Sequence, residues 1–324
     1  MPETVSVIIP AYNSATTLGA CLTALQRQTQ PPLEIIVVDD GSTDGTGRVA
    51  RAYGVIVLSQ SNRGAGVARN RGALAARGHI LLFTDADCEP TSDWIEQMLI
   101  PFCNEAVVGV KGRYRTRQPQ WVARFIQQEY QDRYDLMADQ AQIDFIDTYS
   151  AGYRREVFWA NAGFDPSFRI VEDQEFSFRL AERGYMLVYQ PKAVVYHHHK
   201  ASLAGYAHRK FLVGYWKPAI IRRYPAKLKR DSHTPPSLKI QAALSGVGAL
   251  LIGAGLLLRR RWLAYSGLGA ELLVVLSGGS FLLKIGRRDP PVLLVAPLLL
   301  LTRAWALSLG FLLGLLKSSF YETH

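Results

Sequence analysis

The sequence predicts an α/β domain on a mostly parallel, Rossmann-like sheet, followed by a basic amphipathic stretch and C-terminal transmembrane helices. Three observations predict it. Short β-branched runs alternate with helical stretches through the first hundred residues, the pattern of a parallel sheet covered by helices. Each run ends in polar residues, as strands do where their carboxyl ends border a ligand site. Residues 240–324 then divide into apolar segments long enough to cross a bilayer.

Taken in order, Val5–Pro10 (VSVIIP), Leu33–Asp39 (LEIIVVD), Val55–Leu58 and Ile80–Thr84 read as strands, each short, apolar and bounded by turn residues. Between them, Ser14–Gln28 has helical apolar spacing with Ser14 as its N-cap, and Gly64–Arg77 is an alanine-rich helix. The polar strand ends, Tyr12-Asn13, Asp39-Asp40 and Asp85 to Asp87, should converge on one site. From Ala106 the pattern is mixed: a strand-like AVVGVKGRY, a long polar helix over Trp121–Met137, then SAGYRREVFWANAGFD, a helix over Asp173–Arg183 and a strand over Tyr185–Tyr189.

After His197–His199 the character changes. Ser202–Arg230 interleaves Tyr206, Phe211, Tyr215 and Trp216 with His208, Arg209, Lys210, Lys217, Arg222, Arg223, Lys227 and Arg230, which suits a stretch lying along a membrane surface. Apolar segments of 19, 22 and 25 residues follow, at 240–258, 262–283 and 292–316. The organisation expected is therefore a domain over 1–200, an interface segment over 201–239, and a transmembrane region over 240–324 with two or three spans. Glu271 and Arg303 fall near the middles of the second and third segments, and charges at membrane depth are expected to find a partner, here each other or, for Arg303, a lipid phosphate.

Charge supports membrane over nucleic acid. The net +10 is −3 over residues 1–100, zero over 101–200, +8 over 201–240 and +5 beyond, so the excess sits beside the apolar runs, where anionic headgroups would meet it. Cysteine is sparse and odd in number (Cys21, Cys88, Cys103), which gives no disulfide framework and suits a reducing compartment. No basic segment precedes a long apolar run at the N-terminus, so residues 1–200 are expected on the cytoplasmic side of a cell membrane. The loops leave the number of spans open: Arg259–Arg261 would face outward if all three segments cross, against the positive-inside tendency.

Two acidic strand ends carry the chemistry. In VVDDGSTDGT (37–46) a carboxylate can accept the imide N–H of a uracil or the hydroxyls of a ribose, although from the Asp-Gly residues alone a turn opening the next helix is the stronger reading. In FTDADCEP (83–90), Asp85 and Asp87 stand two apart, so that one can meet a ribose and the other a divalent cation that neutralises a nucleotide diphosphate. Glu172-Asp173 opens an amphipathic helix, where the helix dipole favours an acid and where a carboxylate could take a proton.

Together VSVIIPAYN, VVDDGSTDGT, GAGVARNRG, FTDADCEP and GFDPSFRIVEDQEFSFRLAERGY resemble the family 2 glycosyltransferases with the GT-A fold, over roughly residues 4–199. The resemblance implies transfer of a sugar from a nucleotide sugar with inversion at the anomeric carbon, assisted by Mg²⁺ or Mn²⁺. It implies that Pro10, Tyr12 and Asp40 line the nucleoside pocket, that Arg69 and Asp85 hold the nucleotide, and that Asp87 binds the metal. Asp173 would be the base, with Glu172 beside it as the next candidate. His197 follows a strand, as the third metal or diphosphate contact does in such enzymes; three consecutive histidines cannot all face one site, and His197 is the first choice.

Three departures qualify the likeness. Tyr153 follows Gly152 where many relatives carry a polar residue near the acceptor, the QxxRW signature of processive synthases is missing, and three apolar segments exceed the catalytic core, as in members using lipid-linked acceptors. The function expected is a membrane-bound hexosyltransferase moving a hexose from a UDP- or GDP-linked sugar to a lipid or lipid-linked acceptor. Alternatives are a processive polysaccharide synthase, a lipid-sugar translocase, or a non-catalytic scaffold with a degenerate transferase domain.

Overall fold

A computed structural model describes residues 3–229 and 231–318, which divide into two compact units. The first comprises residues up to 117 together with 137–198, and the second 118–136 together with the chain from 199. The chain therefore leaves the first unit for nineteen residues and returns, so residues 118–136 group with the C-terminal helices and not with the domain expected over 1–200.

The first unit begins β1 (Val5–Ala11), α1 (Leu18–Gln26), β2 (Glu34–Asp39), α2 (Thr46–Ala52), β3 (Ile56–Ser59), α3 (Ala65–Ala75) and β4 (Ile80–Phe83). These four strands lie in the order β3-β2-β1-β4, all parallel, with Ile8 opposite Ile36 on one side and Phe83 on the other. β1 and β4 are buried along their whole length, which is why they read as unbroken apolar runs. Ser14 does not cap α1 through its side chain: its hydroxyl donates to the Tyr12 carbonyl, and its own carbonyl accepts from Thr17 and Leu18 N–H. α3 rests directly on β1 and β2 at Gly72, where a Cβ would lie 2.5 Å from Ile8 and 3.1 Å from Val38.

The remaining half of the sheet is mixed. β5 (Cys88–Pro90), α4 (Trp94–Leu99), β6 (Val107–Arg115), then, beyond α5 (Trp121–Ala138), β7 (Ala151–Arg154), α6 (Arg155–Ala160), α7 (Glu172–Glu182) and β8 (Met186–His197) extend the order to β4-β7-β6-β8-β5. β7 is antiparallel to β4 and β6, β8 is parallel to β6 and antiparallel to β5. An aromatic core of Phe83, Tyr153, Phe158, Phe164 and Phe176, with ring centroids 5.1–6.5 Å apart, backs the start of α7. Tyr153 is thus a fully buried core residue, which explains its departure from the expected pattern without reference to an acceptor.

The second unit packs α5 with α8 (Leu203–Arg223), α9 (Ala226–Lys229), α10 (Pro236–Leu257), α11 (Arg261–Ser277), α12 (Gly279–Arg288), α13 (Pro290–Leu293) and α14 (Ala296–Ser318). Its core joins Phe125 and Ile126 of α5 to Tyr206, Phe281, Ile285, Val292, Ala296, Leu299 and Leu300. Charges stitch α5 to α12 and the turn after it: Arg124 binds Asp289, Lys284 binds Asp132 and Asp135, and Arg288 binds Asp135 at 2.8 Å. α8 and α14 approach backbone to backbone at Gly214, Gly310 and Gly314, positions where a Cβ would strike the facing carbonyls. The stretch read as a membrane-surface segment is therefore, in large part, one helix with α14 as its partner.

Two helices, α10 and α14, are long and apolar enough to cross a membrane. The segment expected over 262–283 is not one straight helix: α11 and α12 meet at Gly278 with a 48° bend, and the pair passes as a third span only if counted together. Glu271 and Arg303 do not pair. Arg303 donates to Glu129 of α5 at 2.8 Å and to Gln241 of α10 at 2.6 Å, while Glu271 accepts from Ser245 at 3.3 Å across the α10–α11 contact. Glu129 also meets Lys210 at 2.9 Å and the Tyr206 hydroxyl at 3.1 Å; burial raises its carboxyl, but Lys210, Arg303 and Arg133 more than offset this and hold it down to about 2.

Candidate active site

The first unit gathers its polar residues where the parallel strands end. Pro10 is buried opposite Val38 near the carboxyl end of β1, and Tyr12, just past the strand, stands about half exposed. Asn13, with a positive φ of 48°, accepts from Thr43 N–H at 2.9 Å and donates its own N–H to the Ser42 hydroxyl at 3.0 Å, so the loops after β1 and β2 are tied together. Asp39 accepts from Ser42 N–H in a local turn, leaving Asp40 to reach inward. Asp40 is buried, and its carboxylate accepts from the Gln60 side chain (2.8 Å) and from the N–H groups of Arg63 (2.9 Å) and Gly64 (2.8 Å). It therefore shapes the loop that opens α3, a role the motif alone does not reveal.

α3 delivers Arg69, one turn before the Gly72 contact. The guanidinium is buried and divides its two terminal nitrogens between Asp85, after β4, and Glu172, at the start of α7, each at 2.7 Å. A planar fork of fixed donors suits this double engagement, which an ammonium could not reproduce. Three residues separated by up to 103 positions in sequence are thereby locked at one place.

β5 and β8 bring together the metal candidates. Their antiparallel register sets Cys88 directly opposite His197, so these side chains share a face of the sheet, and Asp87 precedes them. His197 Nε2 lies 3.5 Å from Asp87 Oδ1, with its ring packed on Tyr149 (centroids 5.7 Å) and near Tyr114 (5.3 Å). A partly exposed carboxylate facing an imidazole nitrogen fits a divalent cation. The neighbouring histidines turn elsewhere: His198 meets Glu89 at 3.2 Å, and His199 is buried with its backbone bonded to Gln118.

α7 presents Glu172 and Asp173 in its first turn, where free backbone N–H groups favour acids. They differ in their surroundings. Glu172 is buried and taken by Arg69. Burial, with the charges of Glu172 and Asp147 adding, pushes Asp173 up to about 7, only partly countered by Arg69 and by the Gln174 N–H it accepts at 2.8 Å. Sequence reasoning missed the group behind it: Lys111, fully buried on β6, pairs with Asp147, whose other oxygen takes the Tyr149 hydroxyl. A lysine within the apolar run AVVGVKGRY was the one available signal, since a buried cation requires a carboxylate partner.

Residues 6–161 match the family model for glycosyl transferase family 2. That segment, just under half of the chain, is what resembles the family. The chain is 42% identical to the glycosyltransferase AglE of Haloferax volcanii over 101 residues, covering 29% of this chain and 33% of that protein. With the pre-mycofactocin glycosyltransferase of Mycobacterium tuberculosis it shares 29% over 266 residues, 78% of this chain and 53% of the relative. The matches thus span a third to about half the length of these curated relatives. Among solved structures, the mannosyltransferase PcManGT from Pyrobaculum calidifontis, in complex with GDP-Man and Mn²⁺, superposes with a TM-score of 0.59 at 20% identity, covering 100% of this chain and 89% of that one. This likeness is one of fold, and it places the first unit among the GT-A folds.

Proposed function

We propose that the protein is an inverting, metal-dependent hexosyltransferase that moves a sugar from a UDP- or GDP-linked donor to a lipid or lipid-linked acceptor at the cytoplasmic face of a membrane. The observation that carries this reading is the contrast between the two acids opening α7: Glu172 is committed to Arg69, whereas Asp173 has a raised proton affinity and no cationic partner at hydrogen-bond distance among the described contacts. An acceptor hydroxyl becomes acidic only as its bond to the anomeric carbon forms, and a carboxylate titrating near neutrality is suited to receive that proton. Pro10, Tyr12 and Asp40 would border the nucleoside, Asp40 chiefly by holding the 60–64 loop. Arg69 would fix Asp85 for the ribose and Glu172 beside the base.

Asp87 and His197 would hold Mg²⁺ or Mn²⁺, which when bound supplies charge neutralisation for the leaving diphosphate. PcManGT, with GDP-Man and Mn²⁺, supports the nucleotide-sugar and metal parts of the reading. The apolar α10 and α14, and the basic α8 packed on α14, support a lipid acceptor. The test is turnover by the purified full chain with a panel of nucleotide sugars and extracted lipids, with the anomeric configuration of the product read by NMR. Inverted product on a lipid is expected; transfer to a soluble acceptor only, or retained configuration, would refute the acceptor or the mechanism respectively.

A further inference from the structure

The pairing of β5 with β8 does more than bring His197 to Asp87. It sets Cys88 face to face with His197, and the Cys88 sulfur lies 3.9 Å from the same Asp87 oxygen that faces His197 Nε2 at 3.5 Å. All three donor atoms fall within 4.8 Å of one another. Donors bound to one ion at about 2.0–2.3 Å lie roughly 3–4 Å apart, so these separations are close to those of a shared ligand set. The other two thiols are placed differently: Cys21 donates to the Asp85 carbonyl at 3.6 Å, and Cys103 is exposed.

We propose that Cys88 is a third ligand of this site, making it a mixed oxygen, nitrogen and sulfur centre that prefers a thiophilic ion such as Zn²⁺ or Co²⁺ over Mg²⁺. The inference rests on the reading that Asp87 and His197 hold a divalent ion. Hard, strongly hydrated Mg²⁺ favours oxygen donors, whereas sulfur and imidazole favour the later transition ions. On binding, the sulfur–metal bond forms as the S–H bond breaks, the proton passes to solvent, and no electrons change hands. Cys88 is fully buried while Asp87 is about two-fifths exposed, so the sulfur supplies the inner side of the centre and the carboxylate the side open to a donor.

The full chain carrying Cys103→Ser, which removes the exposed thiol, is titrated with Co²⁺ alone and followed by absorption. Visible d–d bands together with a near-ultraviolet sulfur-to-cobalt charge-transfer band are expected. Adding Cys88→Ser should abolish the charge-transfer band, retain the d–d bands and weaken Zn²⁺ by at least the ~10–100-fold that even an outer partner of a ligand contributes. Cys88→Ala, with melting curves for both variants, separates lost ligation from lost fold. A charge-transfer band that survives in Cys88→Ser, or d–d bands without one in the parent, would overturn Cys88 as a ligand while leaving the ion at Asp87 and His197. No Co²⁺ uptake by the parent would overturn both.

Discussion

Replacing Asp173 with Asn keeps the size of the side chain and its capacity to accept from Gln174 N–H, but removes its basicity. If Asp173 takes the acceptor proton, single-turnover transfer should fall by roughly 10² to 10⁴, the usual contribution of a positioned base, while nucleotide affinity is unchanged. The same substitution has a second, opposite signature. An acid whose folded pKa is raised from 3.8 to about 7 stabilises the fold fully below the lower value, and that contribution is lost as pH rises through the upper one. At pH 8 the ionised Asp173 therefore costs the fold up to about 4 kcal/mol, a ceiling set by the shift at 1.36 kcal/mol per unit. Asp173→Asn should melt higher than the parent at pH 8, with the advantage shrinking toward pH 4. The parent's rate should rise with pH through about 7 as the base deprotonates. Single-turnover kinetics, calorimetric nucleotide titration and melting at the two pH values measure all of this. Near-normal turnover in the variant would remove Asp173 as the base, and a lower melting point at pH 8 would contradict the electrostatic account of its surroundings.

Three further outcomes follow from the geometry. Asp87→Ala should abolish transfer and the metal dependence of nucleotide binding, which calorimetry with and without Mn²⁺ would read; parent-like metal dependence would sink the assignment. Arg69→Ala strands Asp85 and Glu172 without their shared cation, so it should cost about 3–5 kcal/mol, the range for breaking a buried ion pair, in chemical denaturation, and Arg69→Lys should rescue only part of it. In a double-mutant cycle, Glu129→Gln and Arg303→Gln should show strong coupling, on the order of 1–3 kcal/mol, whereas Glu271→Gln and Arg303→Gln should add independently. The reverse result would restore the Glu271–Arg303 pair.

The parallel half of the sheet was legible because β1, β2 and β4 are largely buried, the edge strand β3 is still a short apolar run, and the strands end in polar loops, a signal present in each segment alone. β5 and β7 were not, because three or four residues become strands only through their partners, and those partners lie 40 to 109 residues away in the sequence. Of the two acids opening α7, the resemblance put Asp173 ahead of Glu172 as base, but nothing in the residues themselves showed that Arg69 holds Glu172 and not Asp173. Likewise Arg303 was read against its neighbours in the apolar segments, while its partner, Glu129, stands 174 positions earlier on a helix that reads as ordinary surface. The Gly278-Gly279 pair was visible within the second apolar segment, but not the 48° bend there nor the packing of Phe281 and Ile285 with Phe125 and Ile126 of α5.

The excursion of residues 118–136 bears on any attempt to truncate or graft this chain. A chain cut near residue 200 would not yield a free-standing soluble enzyme. α5 would remain, covalently fixed at both ends, with Phe125 and Ile126 newly bared to water and Glu129 stripped of Lys210 and Arg303 together. Such a fragment is expected to aggregate through that helix face unless α5 is redesigned with it. By the same reasoning, grafting other C-terminal helices onto this chain would require matching changes at Phe125, Ile126 and Glu129, in the middle of the sequence.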